Sequence, residues 1–272
     1  MSKMKLGGFS AGTGVDFEAF LSETLETILD YNYEAASKTQ LRFWDNAKNS
    51  MTFTGSGLTY KYVDGEIFGI TAGKITGLTI LSAGNTMWSA TGLNISGTTL
   101  SAAIDSGSTV KFLNTLLSGA DDLSGTNYAD MFWGGNGNDI LRGLNGADDL
   151  DGDNGNDQLF GGSGNDWLAG GNGADKLDGG AGADVMRGQV GADIFVFKTG
   201  YGADRITDFD AVGSDHDRID LSDVSSITSF ADLKSNHLKV SGSDIIINAG
   251  NGDKIVLENV KLSTLDASDF IF

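Results

Sequence analysis

Residues 116–196 form nine consecutive blocks of nine residues with no insertion between them. A regular block reads Gly161-Gly162-Ser163-Gly164-Asn165-Asp166-Trp167-Leu168-Ala169. The sixth position is Asp in every block: Asp121, Asp130, Asp139, Asp148, Asp157, Asp166, Asp175, Asp184 and Asp193. The eighth is always large and apolar: Leu123, Phe132, Leu141, Leu150, Leu159, Leu168, Leu177, Met186 and Phe195. The fourth is Gly everywhere except Tyr128.

Such a block divides into a six-residue turn and a three-residue strand. Glycines at the first, second and fourth positions are expected to take φ > 0, which side chains with a Cβ avoid. In the strand, positions seven and nine face one way and position eight the other. Asp149, Gln158 and Lys176 occupy position seven and must face water, so the eighth residues form the interior. One block cannot bury a single apolar side chain, but stacked blocks can, which is the logic of a solenoid. Two blocks make one coil, so turns 18 residues apart lie above one another. Asp139, Asp157, Asp175 and Asp193 then share one edge, and Asp130, Asp148, Asp166 and Asp184 the other.

The stretch holds 14 Asp against Arg142, Lys176 and Arg187. Carboxylates one coil apart repel strongly once partly dehydrated. A hard divalent cation between successive turns removes the repulsion, and carboxylate and carbonyl oxygens are the ligands calcium prefers. The pattern resembles the RTX (repeats-in-toxin) nonapeptide of the calcium-binding parallel β-roll. That resemblance implies a right-handed parallel roll. Its ions would be held by the nine sixth-position carboxylates. The backbone carbonyls of Gly134, Asn136, Gly143, Asn145, Gly152, Asn154, Gly161, Ser163, Gly170, Asn172, Gly179 and Ala181 would complete the sites. Same-edge neighbours allow about five to seven calcium ions. Leu144, Asp153 and Gln189 replace the second glycine, and blocks 116–124 and 125–133 are degenerate, so the outer coils are expected to bind weakly.

The 272-residue chain is 40% hydrophobic, which is globular, with a formal net charge of −19 and a pI near 4.2. That charge repels nucleic acid and anionic lipid, excluding both as partners. There are no cysteines and no prolines, so neither disulfides nor slow prolyl isomerisation enter folding. No apolar run reaches signal-peptide or transmembrane length.

Upstream of the repeats, residues 16–30 read as an amphipathic helix, with Phe17, Phe20, Leu21, Leu25, Ile28 and Leu29 on one face. Strand-like runs follow at 41–44, 51–54, 58–63, 67–71, 75–82 and 86–91, and 100–117 contains a second helical stretch. The expectation is an N-terminal α+β domain over 1–115. The segment Gly55-Ser56-Gly57-Leu58-Thr59-Tyr60, with 92–100 and 113–119, is similar to secreted hemophores of the heme-acquisition type. In that family the tyrosine and nearby histidines bind heme. Only Tyr60 matches, and no His precedes His216, so the resemblance implies a shared scaffold with Tyr60 as its one heme contact. A half-buried strand aromatic is the more frequent role of such a residue. Gly8-Phe9-Ser10-Ala11-Gly12 fits the G-x-S-x-G elbow of hydrolases but has no room for a preceding strand.

Residues 197–272 are expected to form a β-rich cap, with strands at 205–209, 218–221, 238–240, 244–248, 254–258 and 270–272 and a short helix at 230–234. Ile206-Thr207-Asp208-Phe209 and Asp217-Arg218-Ile219-Asp220-Leu221-Ser222 resemble the C-terminal part of serralysin-type secreted proteins. Asp269-Phe270-Ile271-Phe272 resembles their type I secretion signal, which implies export by an ABC transporter. The zinc motif H-E-x-x-H of that family is missing, so its protease activity is not implied. The reading is a secreted, calcium-dependent, non-enzymatic protein acting at a surface, in adhesion, or on a polysaccharide or other ligand. A heme carrier and a secreted hydrolase are the alternatives.

Overall fold

The computed structural model describes residues 33–36, 40–46, 49–63, 66–82, 85–96 and 117–272. The helix expected at 16–30, Ser10 and all but the last residue of the 100–117 stretch lie outside them. Before the repeats come β1 (Tyr33–Ala36), β2 (Gln40–Asn46), β3 (Asn49–Val63), β4 (Glu66–Ser82) and β5 (Asn85–Ser96), paired antiparallel in chain order. The runs expected at 51–54 and 58–63 are one strand, as are 67–71 and 75–82. Gly55 and Gly57 do not end β3. The pairing with β4 shifts register at Thr54/Gly55 and again between Ser56 and Thr59, and the strand continues. Glycine inside a strand often marks such a bulge rather than a terminus.

The repeats supply β6 (Asp122–Ser124), β7 (Met131–Trp133), β8 (Ile140–Asn145), β9 (Asp149–Asp151), β10 (Gln158–Gly164), β11 (Trp167–Asn172), β12 (Lys176–Gly182), β13 (Val185–Val190) and β14 (Ile194–Lys198). Alternate strands pair in parallel. Leu159 sits beside Leu141 and Leu177, and Leu168 beside Leu150 and Met186, each one coil of 18 residues away. Two nonapeptides therefore make one coil, as the spacing requires. β5 joins antiparallel to β6, through Ser89 to Thr91, and ties the upstream strands to the first coil.

The stacking continues beyond the nine blocks. It passes through β15 (Ala203–Ile206), β16 (Arg218–Asp223), β19 (Asp253–Leu257) and β20 (Phe270–Ile271), all added in parallel. β17 (Leu238–Ser241) and β18 (Asp244–Gly250) close one sheet as antiparallel hairpin strands. Among the described residues this gives a twelve-stranded and an eight-stranded sheet. The short helix begins at Phe230 as expected, with Ser229 as its N-cap, but ends at Asp232 and passes into a π-helical turn, Leu233–His237.

The core is two columns between the sheets. Leu123, Leu141, Leu159, Leu177, Phe195 and Ile219 form one, and Leu150, Leu168, Met186, Ile206 and Leu257 the other; all are fully buried. Each member sits one strand from the next, so dispersion and burial act cooperatively along the column. The eighth-position reading thus holds, and the columns run past residue 196 into the cap.

Candidate metal centre

The sixth-position aspartates occupy the turns at both edges of the roll. Asp121, Asp130, Asp139, Asp148, Asp157, Asp166, Asp175, Asp184 and Asp193 are all buried, none more than 3% exposed. Their Oδ1 atoms make a ladder. The backbone N–H of each Asp donates to the Oδ1 of the Asp one coil later, at 2.7 Å for Asp139 to Asp157 and 2.8 Å for Asp157 to Asp175. The other edge repeats this, from Asp130 to Asp148 at 2.7 Å and from Asp166 to Asp184 at 2.9 Å.

The second oxygen behaves differently. The Oδ2 atoms of Asp121, Asp139, Asp148, Asp157, Asp166, Asp175, Asp184 and Asp193 are buried without a hydrogen-bond partner. A buried, unpaired carboxylate oxygen is among the costliest features a fold can carry. Burial is the largest cause of the raised carboxyl pKa values, and neighbouring carboxylates add to it. Asp121, Asp148, Asp157 and Asp193 are pushed up to about 7, and Asp139, Asp175 and Asp184 to about 6. Except at Asp121, the N–H donated to Oδ1 opposes the rise without cancelling it.

Where the orphan oxygens point follows from the first-position glycines. A Cβ placed on Gly134 would meet Asp139 Oδ2 at 2.6 Å and the Gly152 carbonyl oxygen at 2.9 Å. On Gly170 it would meet Asp175 Oδ2 at 2.5 Å and the Gly188 carbonyl at 2.8 Å. Gly143, Gly152 and Gly161 repeat this with Asp148, Asp157 and Asp166 and with the carbonyls of Gly161, Gly170 and Gly179. These glycines do not have positive φ, contrary to expectation. They are glycine because a side chain would fill the space where a carboxylate and a carbonyl from successive coils converge. Five such gaps pair an orphan carboxylate oxygen with a carbonyl. The donors are all hard oxygens, which suits calcium. No group of three His, Cys, Asp or Glu that could hold a metal occurs among the described residues, so carbonyls must supply much of any coordination shell.

From residue 134 onward the second and fourth positions do take positive φ. Leu144, Asp153 and Gln189 adopt it in spite of their side chains, at 80°, 65° and 72°. At the fourth position a Cβ on Gly155 or Gly164 would overlap the carbonyl of Gly137 or Gly146 in the preceding coil. The third-position carbonyls of Asn154, Ser163 and Asn172 accept N–H groups from Gly137, Gly146 and Gly155 at 2.8–2.9 Å. The Asn136, Asn154 and Asn172 side chains hydrogen-bond in a row along the surface. Asn145 does the same with Asn127, while Ala181 offers its backbone alone. In the degenerate block 125–133, Asp130 Oδ2 is already taken by Thr126 N and Oγ1, at 2.5 and 3.0 Å. Tyr60 is placed in β3, opposite Ile70 of β4.

Two ladder residues lie outside the nine blocks. Asp204 Oδ1 accepts the Asp184 N–H at 2.9 Å, and Asp217 Oδ1 accepts the Asp193 N–H at 3.0 Å, across offsets of 20 and 24 residues. Burial raises their carboxyls too, to about 8 and about 6. The signal was present in the sequence: Asp204-Arg205-Ile206 and Asp217-Arg218-Ile219 repeat the order carboxylate, outward residue, interior residue of positions six to eight. Asp217 Oδ2 accepts the Asp210 N–H at 2.9 Å, which closes that ladder without an orphan oxygen.

The profile of the RTX calcium-binding nonapeptide repeat matches residues 117–150, 124–159 and 160–195. No curated protein matches the sequence. Among solved structures, similarity extends to the extracellular lipase LipA from Serratia marcescens. Identity is 15% and the TM-score 0.29, over 54% of this chain but only 39% of the lipase. The AlgE6R3 and AlgE6R2 subunits of the Azotobacter vinelandii mannuronan C5-epimerase are 28% and 25% identical, with TM-scores of 0.27 and 0.21. The matches cover 56% and 54% of this chain and 77% and 92% of those subunits. The segment 117–195 is an RTX calcium-binding nonapeptide-repeat β-roll.

Proposed function

We propose that calcium is the switch that folds this roll, and that the protein works outside the cell, where calcium is abundant. The observation that carries the reading is the set of five gaps in which an orphan carboxylate oxygen meets a carbonyl of the next coil. Asp139, Asp148, Asp157, Asp166 and Asp175 would bind by side chain, and the carbonyls of Gly152, Gly161, Gly170, Gly179 and Gly188 from the coil above. Where calcium is scarce the carboxylates repel and the stacked form is unfavourable. Where it is plentiful, ion binding supplies folding free energy, with dissociation constants of about 10⁻⁴–10⁻³ M for extracellular modules of this kind. We read the protein as a non-enzymatic surface, adhesion or ligand-binding protein. No described helix is long and apolar enough to cross a membrane.

Equilibrium dialysis with radioactive calcium tests this reading. It predicts about five ions per chain at saturation, with none held by the block containing Thr126. Binding of one ion or fewer at 10 mM calcium would refute it.

A further inference from the structure

The outer face of the twelve-stranded sheet carries a pocket of about 330 Å³ across β10, β12 and the end of β14. Its walls include Phe160, Asp178, Gly180, Lys198, Thr199 and Tyr201. Three features meet in it. Lys198 Nζ holds Asp178 Oδ2 at 2.6 Å, with the carboxylate buried and the ammonium exposed. Tyr201 is 3% exposed, packs its ring against Phe197 at 5.0 Å, and has a buried hydroxyl without a hydrogen-bond partner. The half-buried Phe160 ring lies under the Arg142 guanidinium, 5.9 Å from its centroid.

We propose that this pocket binds one neutral saccharide unit. A carboxylate beside an ammonium presents an acceptor and a donor side by side. Adjacent sugar hydroxyls, each able to donate and accept, match that pair. The orphan Tyr201 hydroxyl adds one more group of the same kind, while the Thr199 hydroxyl is engaged with the Asp223 carbonyl and Ser225, and the Phe160 ring offers an apolar surface to the C–H face of a sugar. An anionic ligand is disfavoured: the pocket's cation is already neutralised by Asp178, and the chain carries a net charge of −19. An apolar ligand would leave the Tyr201 hydroxyl unpaired and cover the Lys198–Asp178 ion pair without hydrogen-bonding to it. The volume lies at the low end of the roughly 300–1,000 Å³ of small-molecule sites, which suits one ring rather than a chain. Because the walls come from successive coils on one side of the roll, the site exists only when the roll is stacked. The inference therefore rests on the calcium reading above, and it moves ligand recognition from the upstream strands onto the roll itself.

The test titrates the full chain, in saturating calcium, with glucose, galactose, mannose and N-acetylglucosamine, using saturation-transfer NMR and calorimetry. The expected result is saturable binding of at least one sugar. Phe160→Ala should weaken it by about tenfold, and Tyr201→Phe by at least several-fold. Tyr201→Phe removes an orphan hydroxyl, so its melting temperature should hold or rise, which separates lost recognition from lost folding. No saturable binding at tens of millimolar sugar, with a calcium-folded spectrum in the same sample, overturns the pocket and leaves the calcium reading standing. Binding that both variants leave unchanged also overturns it. A chain that calcium does not fold removes both.

Discussion

At the scale of single residues, the three glycine positions of the repeat do three different jobs. The first clears space for an orphan carboxylate, the second relieves a left-handed backbone, and the fourth lets coils stack closely. Sequence alone suggested one common cause, positive φ, because a glycine does not reveal whether its missing Cβ matters for torsion or for space. Leu144 is 44% exposed at φ 80°, so its side chain contributes little and its backbone is strained. Leu144→Gly should stabilise the calcium-loaded protein by about 1 kcal/mol in denaturant unfolding; a loss of stability would contradict this account. Gly155→Ala should do the reverse. Its Cβ would overlap the Gly137 carbonyl, so we expect the calcium-induced transition to need several-fold more calcium or to disappear, as read by tryptophan fluorescence. Asp157→Ala removes one proposed calcium ligand and the acceptor for the Asp139 N–H. It should lower the calcium count in calorimetry by about one ion.

At the scale of the element, the unit is the rung: turn, strand and the carboxylate that links each turn to the next. The nonapeptide phase made this legible from residues 116 to 196, including which side chains face inward. It did not reveal Asp204 and Asp217, because loops of extra residues break the 18-residue spacing while the hydrogen-bond geometry persists. The rung also fixes a pH dependence. The ladder carboxyls of the metal-free fold sit at about 6 to 7, above their ordinary 3.8. The stacked form therefore binds more protons than the unfolded chain. Its metal-free stability is undiminished below about pH 4 and falls as pH rises through 6 to 7. Acidification from pH 8 to pH 6 therefore stabilises the stack without metal while the unfolded carboxyls stay ionised, so the calcium midpoint for folding should hold level or fall. Circular dichroism midpoints at the two pH values check this, and a midpoint that rises several-fold on acidification would contradict the raised carboxyls of the metal-free stack.

At the scale of the whole molecule, the cap and the roll share one interior. Phe195 pairs with Ile219 and Ile219 with Phe270, while Met186 pairs with Ile206 and Ile206 with Leu257. The sequence showed a β-rich terminal region with most of its strands in place. It did not show that four of them would extend the parallel stack, since strand pairing depends on partners distant in sequence. Ile219→Ala should cost about 2–5 kcal/mol and raise the calcium needed to fold the repeats, although Ile219 lies outside every repeat. Unchanged calcium dependence in this variant would show that cap and roll fold independently.

The account depends on acidic turns that cannot stack until cations lie between them. The most direct measurement is small-angle scattering of the full chain at neutral pH, first after exhaustive chelation and then in 10 mM calcium. The account predicts an expanded chain that collapses on adding calcium and expands again on chelation. An equally compact particle in both conditions would contradict it.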